Sequence, residues 1–155
     1  MNHITKSVVT LSAAGLLLIA THEGFSHKPY KDTGGVITNG FGNATITPNK
    51  SVTVIEALGD LKENTSTAGQ AVSRCVTAPM TQGQYDAYVS IAFNVGTNAF
   101  CKSTMAKLAN ANNKVASCNQ FDRWVYVAGK DCRIKENNCS GIVKRRKDEK
   151  ELCLS

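Results

Sequence analysis

A glutamate, an aspartate and a threonine, Glu23, Asp32 and Thr38, lie in the stretch EGFSHKPYKDTGGVITNGFG, with eight residues between the first two and five between the last two. Cleavage of a glycosidic bond by acid-base chemistry needs one protonated carboxyl to deliver a proton to the leaving oxygen. It needs a second, ionised carboxylate to handle the opposite face of the sugar. The residue types suit that division of labour. Taken singly, each also fits a plainer use: a glutamate ending a helix, an aspartate closing its own turn and a threonine in a hairpin.

The elements that must position these side chains can be read on either side of them. Pro29, Gly34, Gly35, Gly40 and Gly42 break the stretch into tight turns, VITNGF suits a short strand, and Asn39-Gly40 is a strong hairpin signal. Upstream, an apolar run ends at Glu23 and places it at the mouth of a helix. Asp32, on a glycine-rich turn, is expected to be exposed and ionised. Downstream, the polar passage NATITPNKS with Pro48 closes a small sheet lobe.

The remainder reads as helical. Ser51 is expected to cap a long helix from Val52, on which Val54, Ile55, Leu58 and Leu61 recur at helical intervals, with Gly59 and Gly69 as weak points. Thr81 and Gln84 form a capping-box pair ahead of a buried central helix containing YVSIAF and ending at Gly96. Shorter helices are expected over 103–109 and 114–124, and VYVAG is extended up to Gly129. DCRIKENNCSG is a loop. KRRKDEKELCL is a final helix with Ile142, Val143 and Leu152 turned inward and its interleaved charges solvated.

Bulk properties narrow the class. A chain of 155 residues with 42% hydrophobic content fits one domain with a real core. The net charge of +6 favours a polyanionic partner such as a cell wall or an anionic lipid. No nucleic-acid-binding signature accompanies that charge, so nucleic acid is not the expected partner. Six cysteines without Cys-x-x-Cys spacing point to disulfides formed outside the cytoplasm and away from a zinc site. The three histidines all fall within the first 27 residues, and no metal or other cofactor is expected.

The N-terminus supplies an export route. Lys6 precedes SVVTLSAAGLLLIAT, uncharged over 7–21, which as a helix reaches only ~22 Å at ~1.5 Å per residue, short of the ~30 Å hydrocarbon core. Spanning would need Lys6 to snorkel and Ile4 to help. Thr10, Ser12, Ala13, Ala14 and Gly15 weaken insertion further and suit packing against protein. A cleaved signal peptide fits poorly, because cleavage after Ala20 would leave Glu23 without its helix. A weak anchor that exports the chain and later escapes is the preferred reading, and a plain core helix is the other.

The blocks EGF…PYKDTGGVITNGFG, QYDAYVSIAFNVG, CNQFDRWVYVAGK and GIVKRRKDEKELCL occur in an order that resembles the phage-type lysozymes, the muramidase endolysins with which bacteriophages breach the host wall. The resemblance runs from about Leu17 to Leu154. It implies an α+β lysozyme-like fold, with a small antiparallel sheet lobe, a larger helical lobe and a cleft between them. It also implies hydrolysis of the β-1,4 bond between N-acetylmuramic acid and N-acetylglucosamine. Glu23 would be the acid, with Asp32 and Thr38 holding the attacking water so that the anomeric configuration inverts. A lytic transglycosylase or a tethered, non-catalytic wall-binding protein are the alternatives.

The same resemblance implies a sugar N-acetyl contact for Asn94, for which a helix-ending cap is the plain alternative. Arg145 and Arg146 match a repeated arginine pair and are assigned to structure and wall attraction. Some endolysins of this kind carry a signal-arrest-release segment, which here would be residues 1–22, ahead of a catalytic domain over 23–155. The chain would then be a monomer, held transiently at the inner membrane through residues 7–21 and released into the periplasm. Cys132–Cys139 encloses a short polar loop, Cys118 and Cys153 fall where related endolysins carry cysteines near the last helix, and Cys75–Cys101 remains as the third pair.

Overall fold

The computed structural model describes residues 9–155. Ile4, Lys6, Ser7 and Val8, on which part of the expected anchor falls, lie outside the described residues. The first helix, α1 (Ala13–Glu23), starts at Ser12, whose hydroxyl accepts the Gly15 N–H, and stops at Gly24, where φ is 73°. A residue with a side chain would be strained there, so the glycine fixes Glu23 as the last helical residue.

The small lobe follows directly. Strands β1 (Ser26–Lys31) and β2 (Ile37–Gly40) pair antiparallel with Tyr30 opposite Thr38. The reversal between them is closed by Asp32, whose N–H donates to the Val36 carbonyl at 2.9 Å. A second tight reversal puts Asn39 opposite Asn43, across Gly40 and Gly42 at positive φ, as the Asn39-Gly40 signal suggested. The polar passage after it is clamped by two buried asparagines. Asn39 Nδ2 donates to the Thr47 and Lys50 carbonyls at 2.8 and 2.9 Å, and Asn43 Nδ2 donates to Asn39 Oδ1 at 2.9 Å.

The linking helix differs from expectation at both ends. It is α2 (Val54–Asn64), capped by Thr53 and not Ser51, because Thr53 and Glu56 satisfy each other's backbone donors in a full capping box. Val52 lies before it, buried, donating to the His27 carbonyl at 2.9 Å. Ala57 and Leu61 are the fully buried residues of α2, while Val54 and Ile55 are exposed. The helix also breaks at Thr65 rather than at a glycine. The Thr65 hydroxyl donates to the Lys62 carbonyl at 2.9 Å, offering the backbone a local alternative, and the chain restarts as α3 (Ser66–Cys75).

In the helical lobe α4 (Gln82–Val95) is the central element, with the expected Thr81–Gln84 capping box and a continuous buried run from Gln84 to Ala92. It packs against α1, α3 and the last helix. Around it lie α5 (Thr97–Cys101), α6 (Thr104–Asn110) and α7 (Lys114–Asn119), the last running into a 3-10 turn over Gln120–Arg123. The short hairpin of β3 (Tyr126–Val127) and β4 (Lys130–Asp131) and a 3-10 turn at Lys135–Asn137 lead to α8 (Ser140–Leu154). Tyr88, Phe100 and Phe121 fill the centre with Ile19, Leu61, Ile91 and Met105. Disulfides join Cys75 to Cys101, Cys118 to Cys153 and Cys132 to Cys139.

The last helix inverts the expected pattern. Ile142, Val143 and Leu152 are only half-buried, whereas Arg145, Arg146, Glu149 and Cys153 are fully buried. Charges three and four residues apart share one helical face, and here that face turns inward.

Candidate active site

Glu23 projects from the end of α1 toward the junction of the two lobes. Its Oε1 accepts from Arg145 Nη1 at 2.9 Å, while Oε2 lies 3.5 Å from where a side chain on Gly42 would begin. Gly42 is called for by its φ of 68°, and a side chain there would only touch the carboxyl at ordinary contact distance. Phe25 and Phe41 pack with ring centroids 5.3 Å apart and fix the helix exit against the second reversal. Among the described residues Oε2 makes no hydrogen bond, so one oxygen is anchored and the other is available.

Asp32 is exposed, and its Oδ1 accepts from the Gly34 and Val36 N–H groups at 2.8 and 2.9 Å. The carboxylate is therefore aimed by its own turn, leaving Oδ2 toward solvent. Thr38 is buried in β2, opposite Tyr30. Asp32 and Thr38 share one hairpin and Glu23 enters just before it, but no hydrogen bond links the three side chains among the described residues.

Behind Glu23 stands a buried ionic network that a solvated reading of KRRKDEKELCL misses. Glu149, 0% exposed, accepts from Arg145 Nε at 3.1 Å and Ser90 Oγ at 2.6 Å on one oxygen, and from Arg146 Nη1 at 2.6 Å on the other. Arg145 is thereby held against Glu23. Arg146 donates to the Trp124 carbonyl at 2.8 Å and to Asn94 Oδ1. Burial pushes the Arg146 guanidinium below its ordinary value, and Glu149 opposes that shift. Both arginines are buried and paired with Glu23 or Glu149, so their part is structural and not that of surface charges facing a wall.

Asn94 is exposed near the end of α4 with its carbonyl oxygen taken by Arg146, which leaves its amide N–H groups outward. It does not cap the helix. Gly96 does, at φ 99°, by donating to the Ala92 carbonyl. Next to Glu23, His22 Nε2 lies 2.9 Å from Asp148 Oδ2 and ties α1 to α8 a second time. The sequence signal for these contacts was the spacing of Arg145, Arg146 and Glu149, which shows that they share a face but not which way the face points.

Residues 20–149 match the phage lysozyme family. The chain belongs to that family. It is a peptidoglycan-hydrolysing endolysin and a glycoside hydrolase of the lysozyme kind. The endolysin of Salmonella phage P22 is 31% identical over 154 residues, spanning 96% of this chain and 100% of that protein. The SAR-endolysin of Haemophilus phage HP1 (strain HP1c1) is 31% identical over 163 residues, spanning 97% and 84%. The crystal structure of a P22 lysozyme mutant superposes with a TM-score of 0.82 at 32% identity, over 94% of this chain and 99% of that one. The active form of the P1 phage endolysin Lyz gives 0.77 at 29% identity, over 93% and 84%. The secreted inactive form of Lyz gives 0.58 at 26% identity, over 92% and 94%. The lysozyme-like α+β fold agrees with the expectation from sequence.

Proposed function

We propose that this lysozyme cleaves the β-1,4 bond between N-acetylmuramic acid and N-acetylglucosamine with inversion, using Glu23 as the acid. The carrying observation is the anchoring of one Glu23 oxygen by buried Arg145 while the other is left free at the lobe junction. A free, fixed carboxyl oxygen is what proton delivery to a leaving group requires. Asp32, with one oxygen held by its turn, activates a water that Thr38 helps to place, and the water attacks the sugar from the opposite face. The outward amide of Asn94 donates to the N-acetyl carbonyl of a bound sugar. The reaction uses neither metal nor other cofactor, and the enzyme works as a monomer.

Residues 1–22 deliver the enzyme and residues 23–155 form its catalytic domain. The uncharged segment over 7–21 inserts weakly in the inner membrane, faces the enzyme to the periplasm, and then escapes. The uncharged outer surface of α1 supports this, since Leu17 is 57% exposed beside exposed Ala13, Ala14 and Thr21. The SAR-endolysin relatives and the better match to the active form of Lyz support it also. No described helix is long and apolar enough to cross a membrane, in keeping with α1 belonging to the released form. While 7–21 sit in lipid, Glu23 cannot meet Arg145 and the enzyme is silent. No cysteine precedes Cys75, so release follows loss of the membrane potential and not thiol exchange in the anchor.

The test uses purified walls, wild type and Glu23→Gln. Wild type should clear turbidity and release new reducing ends, with the α anomer first; the variant should fold and do neither. Anhydro-sugar products would replace hydrolysis with transglycosylation, and a folded, lytic Glu23→Gln protein would remove Glu23 from the mechanism. Cell fractionation before and after depolarisation tests delivery, and a soluble active enzyme before depolarisation would refute it.

A further inference from the structure

At the end of α1 remote from Glu23 lies a buried carboxylate that the reaction does not use. Asp86, on α4, is 1% exposed. Its Oδ1 accepts from the Ser12 backbone N–H at 3.0 Å and from Gln82 Nε2 at 2.9 Å, and its Oδ2 accepts from the Ser12 hydroxyl. Gln82 Nε2 also donates to the Thr10 carbonyl at 2.8 Å. Two of the three donors to Asp86 therefore come from the cap of α1, across 74 positions of sequence. The third comes from one turn earlier on α4 and remains when α1 departs.

The fit between the two helices is close at the same place. A side chain on Gly15 would begin 2.7 Å from Asp86 Cγ and 2.8 Å from its Cβ. Both are atoms of a short, buried side chain that cannot swing away, so glycine is required for α1 to lie down. We propose that Asp86 is the receptor for the first helix: a latch that binds the Ser12 cap, admits α1 only through Gly15, and so brings Glu23 to Arg145. Asp86 is then a positioning residue for catalysis, acting along the length of α1. This rests on the reading of α1 as a helix that docks late, and it adds the element that recognises it.

The assignment gives Ser12 and Gly15 two opposed duties. A hydroxyl and a missing side chain weaken the segment's hold on lipid, and the same two features are what Asp86 reads on the protein. Any replacement that deepens insertion at these positions also spoils the seat. A leucine at either position would keep the enzyme silent even after extraction from the membrane.

The experiment compares purified full-length wild type with Ser12→Ala, Ser12→Thr, Gly15→Ala and Asp86→Asn, measuring wall lysis and amide hydrogen exchange. Ser12→Ala and Asp86→Asn should each lower protection of α1 amides by about ten-fold or more, the scale of a hydrogen bond to a charged acceptor. Amides in α6 and α7 should keep their protection. The maximal rate should fall with the fraction of docked enzyme while the half-saturating wall concentration stays fixed. Ser12→Thr should restore both, and combining Ser12→Ala with Asp86→Asn should cost less than the two separate losses multiplied. Unchanged α1 protection in Ser12→Ala and Asp86→Asn would overturn the latch. So would an equal loss of protection throughout the fold, which would make Asp86 an ordinary core residue. Should Asp86→Asn not fold, Ser12→Ala and Gly15→Ala leave the carboxylate intact and decide between the same outcomes. None of these measurements uses a membrane, so fractionation can refute the anchor while the latch stands, and the reverse.

Discussion

Helices α1 and α8 break the usual rule of burial in opposite directions. The first has no charged residue between Ala13 and Thr21 yet exposes Leu17, Ala13 and Ala14. The last is dense in charge yet buries Arg145, Arg146 and Glu149. Composition would place each on the other's side of the fold. Their meeting point is the candidate active site, where Glu23 ends α1 and is held by Arg145 of α8. The pairing is asymmetric in a useful way. Under the proposed delivery, α1 can bring no buried charge except at its very end, so the fixed charges that orient Glu23 come from α8.

If α8 is the fixed half of this arrangement, its network should be costly to break. Glu149→Leu leaves two buried guanidinium groups without their shared carboxylate, and removing one partner of a buried pair typically costs ~3–5 kcal/mol. A urea midpoint measured by circular dichroism should fall accordingly, with lysis lost along with it. A change of less than ~1 kcal/mol would mean that the charges on α8 are as dispensable as surface charges.

The next largest effect tests what holds α8 in place. The Cys118–Cys153 disulfide ties its C-terminal end to α7, and replacing both cysteines with serine should cost ~2–4 kcal/mol. Lysis at low temperature should survive, because Cys153 lies about two helical turns beyond Arg145. Thermal denaturation beside a room-temperature turbidity assay separates the two, and equal loss in both would break the idea of a scaffold tied remotely from the site.

On α1 the sharpest comparison is a substitution that matters only outside the folded state. Leu17→Lys puts a charge on the exposed face, where surface changes usually stay within ~0.5 kcal/mol, so purified enzyme should be as stable and as lytic as wild type. In cells, the same change should abolish membrane association and with it export. Loss of activity in the purified variant would show that the exposed face of α1 is covered in the working enzyme.

The smallest effect concerns the second tie between the helices. The Lys144 ammonium, followed by His22, holds the Asp148 carboxyl below its ordinary range. A carboxyl whose folded value is lowered stabilises the fold at pH above the ordinary value and loses that contribution as pH falls through the folded one. Stability should therefore decline below about pH 4, and Asp148→Asn should decline less over the same interval. Urea midpoints at pH 6 and pH 3 measure the difference, which is small and salt-sensitive because Lys144 and Asp148 are partly exposed. Identical slopes for variant and wild type would remove this tie from the comparison.

Much of the molecule was legible from local pattern. The Thr81–Gln84 capping box, the central helix ending at Gly96, the reversal at Asn39-Gly40 and the helix ending at Glu23 are each governed by residues within a few positions of one another. Local backbone chemistry decides such features, so sequence alone determines them. It also puts Glu23, Asp32 and Thr38 in one short stretch, but their spacing leaves the plainer uses open, and the resemblance to phage-type lysozymes is what implies their catalytic roles. The cap of α2 lies two residues beyond the expected Ser51, because Ser51 and Thr53 are both competent and only the partner Glu56 distinguishes them.

What the sequence could not decide is direction. The charges of α8 share a face by spacing, but whether that face meets water or Glu23 depends on where α4 supplies Ser90 and α1 supplies a carboxylate. Ser12 and Asp86 lie 74 residues apart, and nothing local marks the aspartate as the seat of the first helix. A buried charge is tolerable only where distant partners converge on it, and convergence is a property of the tertiary structure alone.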